Sequence, residues 1–383
     1  MSARPNGGHH AAAAPRLLLN AQAFGFGPAA AMSVLAAELA PVCERLTYLG
    51  SGHTLDLQGE PPYDTVHDTT GRSTDELRAL LGDLAPQYDL FVTAMDFEMA
   101  ELARDTGLDV AVYDALTWYW PAIPEVAREA ALYLAQDFFG VRERLAADPA
   151  LRGRAVIVPP VIARGRAWRP GRHVLVNLGG LHNPCWPPDD AVTYARLMLD
   201  AVRASLPADR SVIVATSRTI AAGLDDPDVG TYDHATMLDL MSTAAYACMT
   251  SGLGNIYDAA VTGVPTLWLP AANDSQPEQV RLLCRHGYCD ACLDWADVGR
   301  PVDYRPPTPV VSQAISRVVR EVSGEPRLRA RLAHRLTELT DGLGVTAGRA
   351  RALTDHFGQG GTRKAAEAVL GWFERRACPV DRG

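Results

Sequence analysis

Residues 250–279 carry side chains and spacings suited to holding a charged nucleotide. Thr250-Ser251-Gly252-Leu253-Gly254-Asn255 is a small-residue turn between an apolar run, residues 246–250, and a helical pattern, residues 255–261. A helix that starts on such a turn leaves its first amides unbonded, and their partial positive charge suits a diphosphate. Asp258 falls about one turn into that helix, where a carboxylate can accept both hydroxyls of a ribose. Gly263 and Pro265 close the helix and launch the next strand. An ordinary helix–strand connection has no need of an acid at that position.

A second glycine turn, Gly25-Phe26-Gly27-Pro28-Ala29-Ala30, spells G-x-G-x-x-A. A dinucleotide site requires an acid at the end of the following strand to hold a ribose. That strand ends Tyr48-Leu49-Gly50-Ser51, without one, and the glycines trail their own strand by several residues. Nicotinamide or flavin chemistry is therefore disfavoured. Two readings stay open for Gly25, Phe26 and Gly27: backbone amides approaching a phosphate or a developing anion, or a turn packing helix on sheet.

Carboxylates that could act as a general base stand at strand ends in the first half. They are Asp96 and Glu98 after residues 90–94, and Asp114 after residues 110–113. His53 and His67 are loop alternatives; for each group the competing role is an N-cap or a solvated loop residue. Trp118, Tyr119 and Trp120 follow Asp114 and either stack a flat molecule or pack in the core. Asp226-Pro227-Asp228 has a metal-chelating spacing but sits among turn residues, and reads as a solvated turn. Cys284, Cys289 and Cys292, with His286 between them, lack a second C-x-x-C or H-x-x-x-H half and read as structural cysteines.

The elements that must position these groups alternate. Strand patterns occupy residues 16–20, 46–49, 90–94, 110–113, 131–135 and 155–158, with helices at 29–40, 74–81 and 97–106 between them. Ser73 and Glu76 form a capping-box pattern. Residues 159–172, with three prolines and Arg164, Arg166, Arg169 and Arg172, break the alternation as a linker. It restarts with strands at 174–177, 212–216, 246–250 and 266–269, and helices at 191–204, 236–243, 255–261 and 277–285. The rest is mostly helical from Val311. This is an α/β pattern: two Rossmann-like doubly wound domains facing a cleft, with C-terminal helices. The expected boundaries are a loose tail over 1–14, a first domain over 15–160, a linker over 161–172 and a second domain over 173–355. A helix over 356–383 is expected to return to the first domain.

Composition narrows the function. A chain of 383 residues has room for about two or three domains. The formal charge of −9 argues against nucleic acid as a partner. Lys364 is the single lysine among 36 basic residues, which removes a P-loop and nearly excludes Schiff-base chemistry. Seven cysteines fit a reducing compartment. No apolar run reaches the roughly 18 residues a membrane span needs, and residues 1–14 hold no signal-peptide pattern, so the expected location is the cytoplasm.

The stretch from Thr250 to Gln279 resembles the nucleotide-sugar signature of GT-B glycosyltransferases, roughly S-x-G-G-x-x-T-x-x-E-A-x-x-x-G-x-P-x-x-x-x-P and then Q. Residues 232–244, with Asp233 and His234, look like the segment those enzymes place beside the nucleobase. Val174-Leu175-Val176-Asn177-Leu178-Gly179-Gly180 looks like the first strand and glycine turn of their C-terminal domain. The departures are Asp258 where glutamate is usual, Leu253 splitting the glycine pair, and two candidate glutamines, Gln276 and Gln279. The resemblance implies a GT-B fold and a UDP-sugar or similar diphosphosugar as co-substrate, with no metal and no other cofactor. The diphosphate would meet Ser251, Gly252, Leu253, Gly254 and Asn255 and the turn Gly179–Gly180. Arg218 would add charge toward phosphate or an acidic sugar, or else is a plain surface arginine. The first domain would supply a small acceptor and its base.

A narrower resemblance joins residues 19–28 and the aromatic loop to cytosylglucuronate and hydroxymethylcytosylglucuronate synthases of nucleoside antibiotic biosynthesis. It implies transfer of glucuronic acid from UDP-glucuronate to N1 of cytosine or hydroxymethylcytosine, with inversion and release of UDP. Three rivals share the architecture: a nucleotide-sugar 2-epimerase, a catalytically silent sugar-nucleotide-binding activator, and a transferase for lipid or macrolide acceptors.

Overall fold

The computed structural model describes residues 14–59, 62–163, 165–207, 209–343, 349 and 351–377. The first 13 residues of the expected tail, Arg164 of the linker and residues 378–383 lie outside them.

Two parallel sheets carry the chain. The first holds β1 (Arg16–Ala21), β2 (Arg45–Gly50), β3 (Thr65–Asp68), β4 (Leu90–Ala94), β5 (Val110–Asp114), β6 (Leu132–Gln136) and β7 (Ala155–Val158), in the order β3-β2-β1-β4-β5-β6-β7. The second holds β8 (His173–Gly179), β9 (Ser211–Thr216), β10 (Val229–Gly230), β11 (Tyr246–Met249), β12 (Thr266–Trp268) and β13 (Ala291–Cys292), in the order β10-β9-β8-β11-β12-β13. Parallel neighbours need crossovers of a dozen or more residues, which the intervening helices supply. Leu17, Leu18 and Leu19 of β1 are all fully buried, as a central strand covered on both faces requires.

Strand order reverses between β1 and β4 in one sheet and between β8 and β11 in the other. Ligand crevices of open parallel sheets form outside the carboxyl ends of the strands at such points. The loops after β1, β4, β8 and β11 therefore frame the site. Three edge strands, β3, β10 and β13, escape a reading by apolar runs because they span two to four residues and are largely half-buried or exposed.

The helix Gly361–Ala377 packs on the first domain, where Ala365, Ala366 and Val369 join the core of Leu17, Leu19 and Met32. Its first residue must be small, since a Cβ on Gly361 would collide with the Pro159 carbonyl. The linker is pinned to the second domain: the Trp168 amide donates to the Thr262 carbonyl and its indole to the Ala244 carbonyl, each at 2.8 Å. No helix among the described residues is long and apolar enough to cross a membrane.

Candidate functional site

A cavity of ≈ 390 Å³ lies between the sheets, framed by the four strand ends. On one side the helix Gly27–Leu39 begins at Phe26, which supplies no side-chain cap, with Pro28 in its first turn. Opposite, the helix Leu253–Thr262 begins at Gly252, also without a side-chain cap. The two N-termini face each other so closely that a Cβ on Gly254 would sit 3.9 Å from the Gly27 Cα. Free amides and the positive ends of two helix dipoles thus converge on one space, the arrangement that favours an anion.

The glycine turns hold the domains together at this point. Gly25 takes φ +60° and its amide donates to the His182 carbonyl at 3.1 Å. Gly180 has no room for a side chain, because a Cβ would lie 2.8 Å from the His53 ring and 2.9 Å from the Gly25 carbonyl carbon. His53 contacts the Gly25 carbonyl oxygen through Nε2 at 2.6 Å, and its ring centroid lies 4.7 Å from that of His182. Burial pushes the His53 pKa down to about 4, and burial also lowers that of His182. Of these two imidazoles, His182 lines the cavity. Met95 (φ +63°) and Leu181 (φ +46°) are non-glycine residues in the left-handed region, and both line the cavity. Such conformations cost about 1–3 kcal/mol each and concentrate where surroundings over-determine the backbone, as at binding sites.

Asp258 is buried in the cavity wall, and both its oxygens lie within 3.1 Å of His234 Nε2. The carboxylate raises the His234 pKa against the opposing effect of burial. His234 Nδ1 is buried without a partner. Asp233 caps the helix His234–Thr243 by accepting from the Thr236 amide, and does not line the cavity. Asn255 is braced by Asn177 at 3.1 Å and by the Thr250 carbonyl at 2.9 Å. The two glutamines differ. Gln276 Oε1 is taken by the Ala272 amide at 2.7 Å, whereas Gln279 Oε1 is buried in the same wall with no partner.

Several expected groups fall elsewhere. Asp114 is fully buried and does not reach the cavity. Its carboxylate accepts from the Tyr133 hydroxyl at 2.6 Å, the Leu116 amide at 2.6 Å and the Trp120 indole at 2.9 Å, which leaves it positioning the aromatic loop. Burial raises its pKa. Asp96 caps the helix Phe97–Asp105 through the Met99 amide, and Glu98 is exposed in its first turn; neither lines the cavity. Tyr119 and Trp120 line it, but Trp118 turns away and packs on Phe138 with ring centroids 5.2 Å apart. Arg218 is exposed and bridges the domains instead, its amide donating to Asp56 at 2.9 Å and its guanidinium 3.7 Å from the same carboxylate. Ser251 is buried behind the turn and bonds the Gln276 carbonyl. Gly25, Phe26, Gly27, Gly179, Gly180, Gly252, Leu253 and Gly254 all line the cavity. His67 sits on edge strand β3, away from it. Asp226 and Asp228 are tied up by Arg203 at 2.6 Å each, in keeping with a solvated turn.

Two functional candidates were not anticipated. Asp274 is buried and accepts from the Tyr119 hydroxyl at 2.8 Å across the cleft and from Thr308 at 2.5 Å. It hides in the polar turn Asn273-Asp274-Ser275, which spacing alone marks only as a loop. His182 follows Gly179–Gly180 by two residues, and its position after a strand-end glycine turn was the available signal. No arginine or lysine lines the cavity among the described residues.

No protein-family model and no curated protein sequence matches the chain. Solved structures do. LpCGTa, crystallised in complex with UDP, aligns at TM-score 0.51 and 12% identity over 95% of this chain and 100% of that one. The calicheamicin glycosyltransferase CalG4 aligns at TM-score 0.46 and 15% identity over 95% and 100% of the two chains. The kitacinnamycin glycosyltransferase aligns at 0.47 and 17% over 94% and 99%. The fold is GT-B: two parallel-sheet α/β domains, shared with LpCGTa over nearly the whole chain.

Proposed function

We propose that this cleft transfers a sugar from a UDP-sugar to a small acceptor, by a single inverting displacement that releases UDP. The observation that carries the reading is the pair of uncapped helix N-termini facing each other at Gly27 and Gly254. A diphosphate leaving group gains negative charge as the glycosidic bond breaks, and fixed amides stabilise it without reorganising. The amides carry that role without a metal. On this reading Asp258, in the cavity wall, holds the ribose, and Gln279 Oε1 in the same wall is an acceptor still to be satisfied. UDP in LpCGTa supports the same class of donor.

Glucuronic acid moving from UDP-glucuronate to N1 of cytosine or hydroxymethylcytosine is the specific reading. Tyr119 and Trp120, in the cavity wall, offer rings for a flat pyrimidine. With no arginine or lysine in the wall among the described residues, a sugar carboxylate falls to the helix N-terminus at Gly27 while the diphosphate keeps to the one at Gly254. In the displacement the N1–C1′ bond forms as the bond from C1′ to the diphosphate oxygen breaks. The N1 proton passes to a base, for which His182 is the cleft imidazole whose lowered pKa keeps it neutral at pH 7.

UDP release from UDP-glucuronate, with and without cytosine, followed by product mass, tests the reading. Cytosine-dependent release with a glucuronosyl-cytosine mass is expected. UDP binding without release in either case would remove this donor–acceptor pair.

A further inference from the structure

At the β13 edge of the second sheet, apart from the residues that line the cavity, three thiols converge. Cys284 is in the last turn of the helix Gln276–Arg285, Cys289 lies in the loop that follows, and Cys292 is in edge strand β13. Their sulfur atoms all lie within 4.8 Å of one another, with Cys284 Sγ 3.7 Å from Cys292 Sγ. Three thiols meeting at one point are one more than a disulfide uses. They are what a thiophilic metal uses.

We propose that Cys284, Cys289 and Cys292 form a mononuclear zinc site. A Zn–S bond of about 2.3 Å at a tetrahedral angle places two sulfurs about 3.8 Å apart, close to the Cys284–Cys292 separation. The triangle is too tight to span a polynuclear iron–sulfur cluster. His286, the nearest imidazole in sequence, is stacked on Phe139 with ring centroids 4.1 Å apart. No fourth His, Cys, Asp or Glu joins the three thiols among the described residues, which leaves the fourth position to water, on the side where Cys284 is exposed. The Arg349 guanidinium donates to the Cys289 carbonyl at 3.3 Å and offsets the excess negative charge of three thiolates.

The metal staples a weak edge. β13 pairs with β12 over two residues, too few to hold by its ladder alone. The helix it is tied to begins with Gln276 and carries Gln279 into the cleft, so the zinc fixes the depth at which those side chains stand. It holds structure and takes no part in the transfer.

The test is metal content, independent of any transferase activity. Full-length protein is purified without chelator under reducing conditions, incubated with zinc, desalted and analysed by elemental mass spectrometry. The same protein loaded with cobalt is read for the sulfur-to-metal charge-transfer band and the intense visible bands of tetrahedral thiolate coordination. About one metal per chain is expected, lost in Cys284→Ser, whose exposed position tolerates the change, and retained in Cys43→Ser. Wild-type protein that keeps no metal would overturn the proposal. So would Cys284→Ser and Cys289→Ser variants that both hold a full equivalent, because the ion would then sit elsewhere.

Discussion

His234 Nε2 lies 3.0 and 3.1 Å from the two oxygens of Asp258, so an imidazole from one helix is locked to a carboxylate on the helix beside it, in the wall of the cleft. The pair presets the carboxylate before any ligand arrives. If Asp258 also receives a ribose, Asp258→Ala removes a charged acceptor at a cost of about 1.5–3 kcal/mol. UDP affinity, measured by calorimetry, should fall on the order of 10- to 100-fold. Unchanged affinity would take the ribose away from Asp258.

The same pair makes stability depend on pH. Asp258 raises the His234 pKa in the folded chain above the ordinary value near 6.5. A group raised on folding contributes its full stabilisation below about pH 6.5, and loses it as pH rises through the folded value. Thermal melts of the ligand-free protein should therefore show a decline above about pH 6.5 that levels off once His234 is neutral. His234→Gln should lack that decline; an identical profile in the variant would assign it to other groups.

Most of the fold was legible because β1, β4, β5 and β8 are short apolar runs punctuated by helical patterns, and buried parallel strands leave that signature. The glycine turn at Gly252–Gly254 was legible for a related reason: few sequences other than small residues let a strand end feed an uncapped helix. That Asp114 lies off the cavity was not legible, because a strand-end acid looks the same whether it faces a crevice or folds back on its own loop. Only the third dimension shows Tyr133 and Trp120 closing over it. Arg218 illustrates the same gap, since its partner Asp56 is 162 residues away. Trp118, Tyr119 and Trp120 read as one cluster, yet a loop cannot aim three consecutive rings at one cavity.

Asp114→Asn separates positioning from proton transfer. An amide keeps one acceptor oxygen, but its NH₂ group must face either the Leu116 amide or the Tyr133 hydroxyl and Trp120 indole together, all of which donate to the carboxylate now. Melting should reveal a loss of about 1–3 kcal/mol for the mismatched buried group. UDP affinity should hold, while KM for the acceptor rises because Trp120 is no longer fixed. A drop in kcat with stability and acceptor KM untouched would return Asp114 to the role of base.

Gly180→Ala probes the contact between domains. The new methyl would stand 2.8 Å from His53 Cδ2 and 2.9 Å from the Gly25 carbonyl carbon, and the second of these is backbone that cannot rotate away. Overpacking of this kind costs about 1–3 kcal/mol. Because the collision lies between the two halves of the cleft, donor and acceptor KM should both rise. A variant with wild-type kinetics would mean that this contact opens before the substrates bind.

His182 as base has its own pH signature. A base works when deprotonated, so kcat/KM should rise with pH and level off once the imidazole loses its proton. Burial lowers the His182 pKa below the ordinary 6.5, which places the rise on the acid side of neutrality and leaves a plateau at pH 7. His182→Gln retains a polar side chain at the cleft but cannot take the proton. It should bind UDP as wild type does, lose on the order of 10²- to 10⁴-fold in turnover, and lose the acid limb with it. If the limb survives in the variant, the proton goes to a different group. The next candidate is then Asp274, the buried carboxylate that Tyr119 reaches across the cleft.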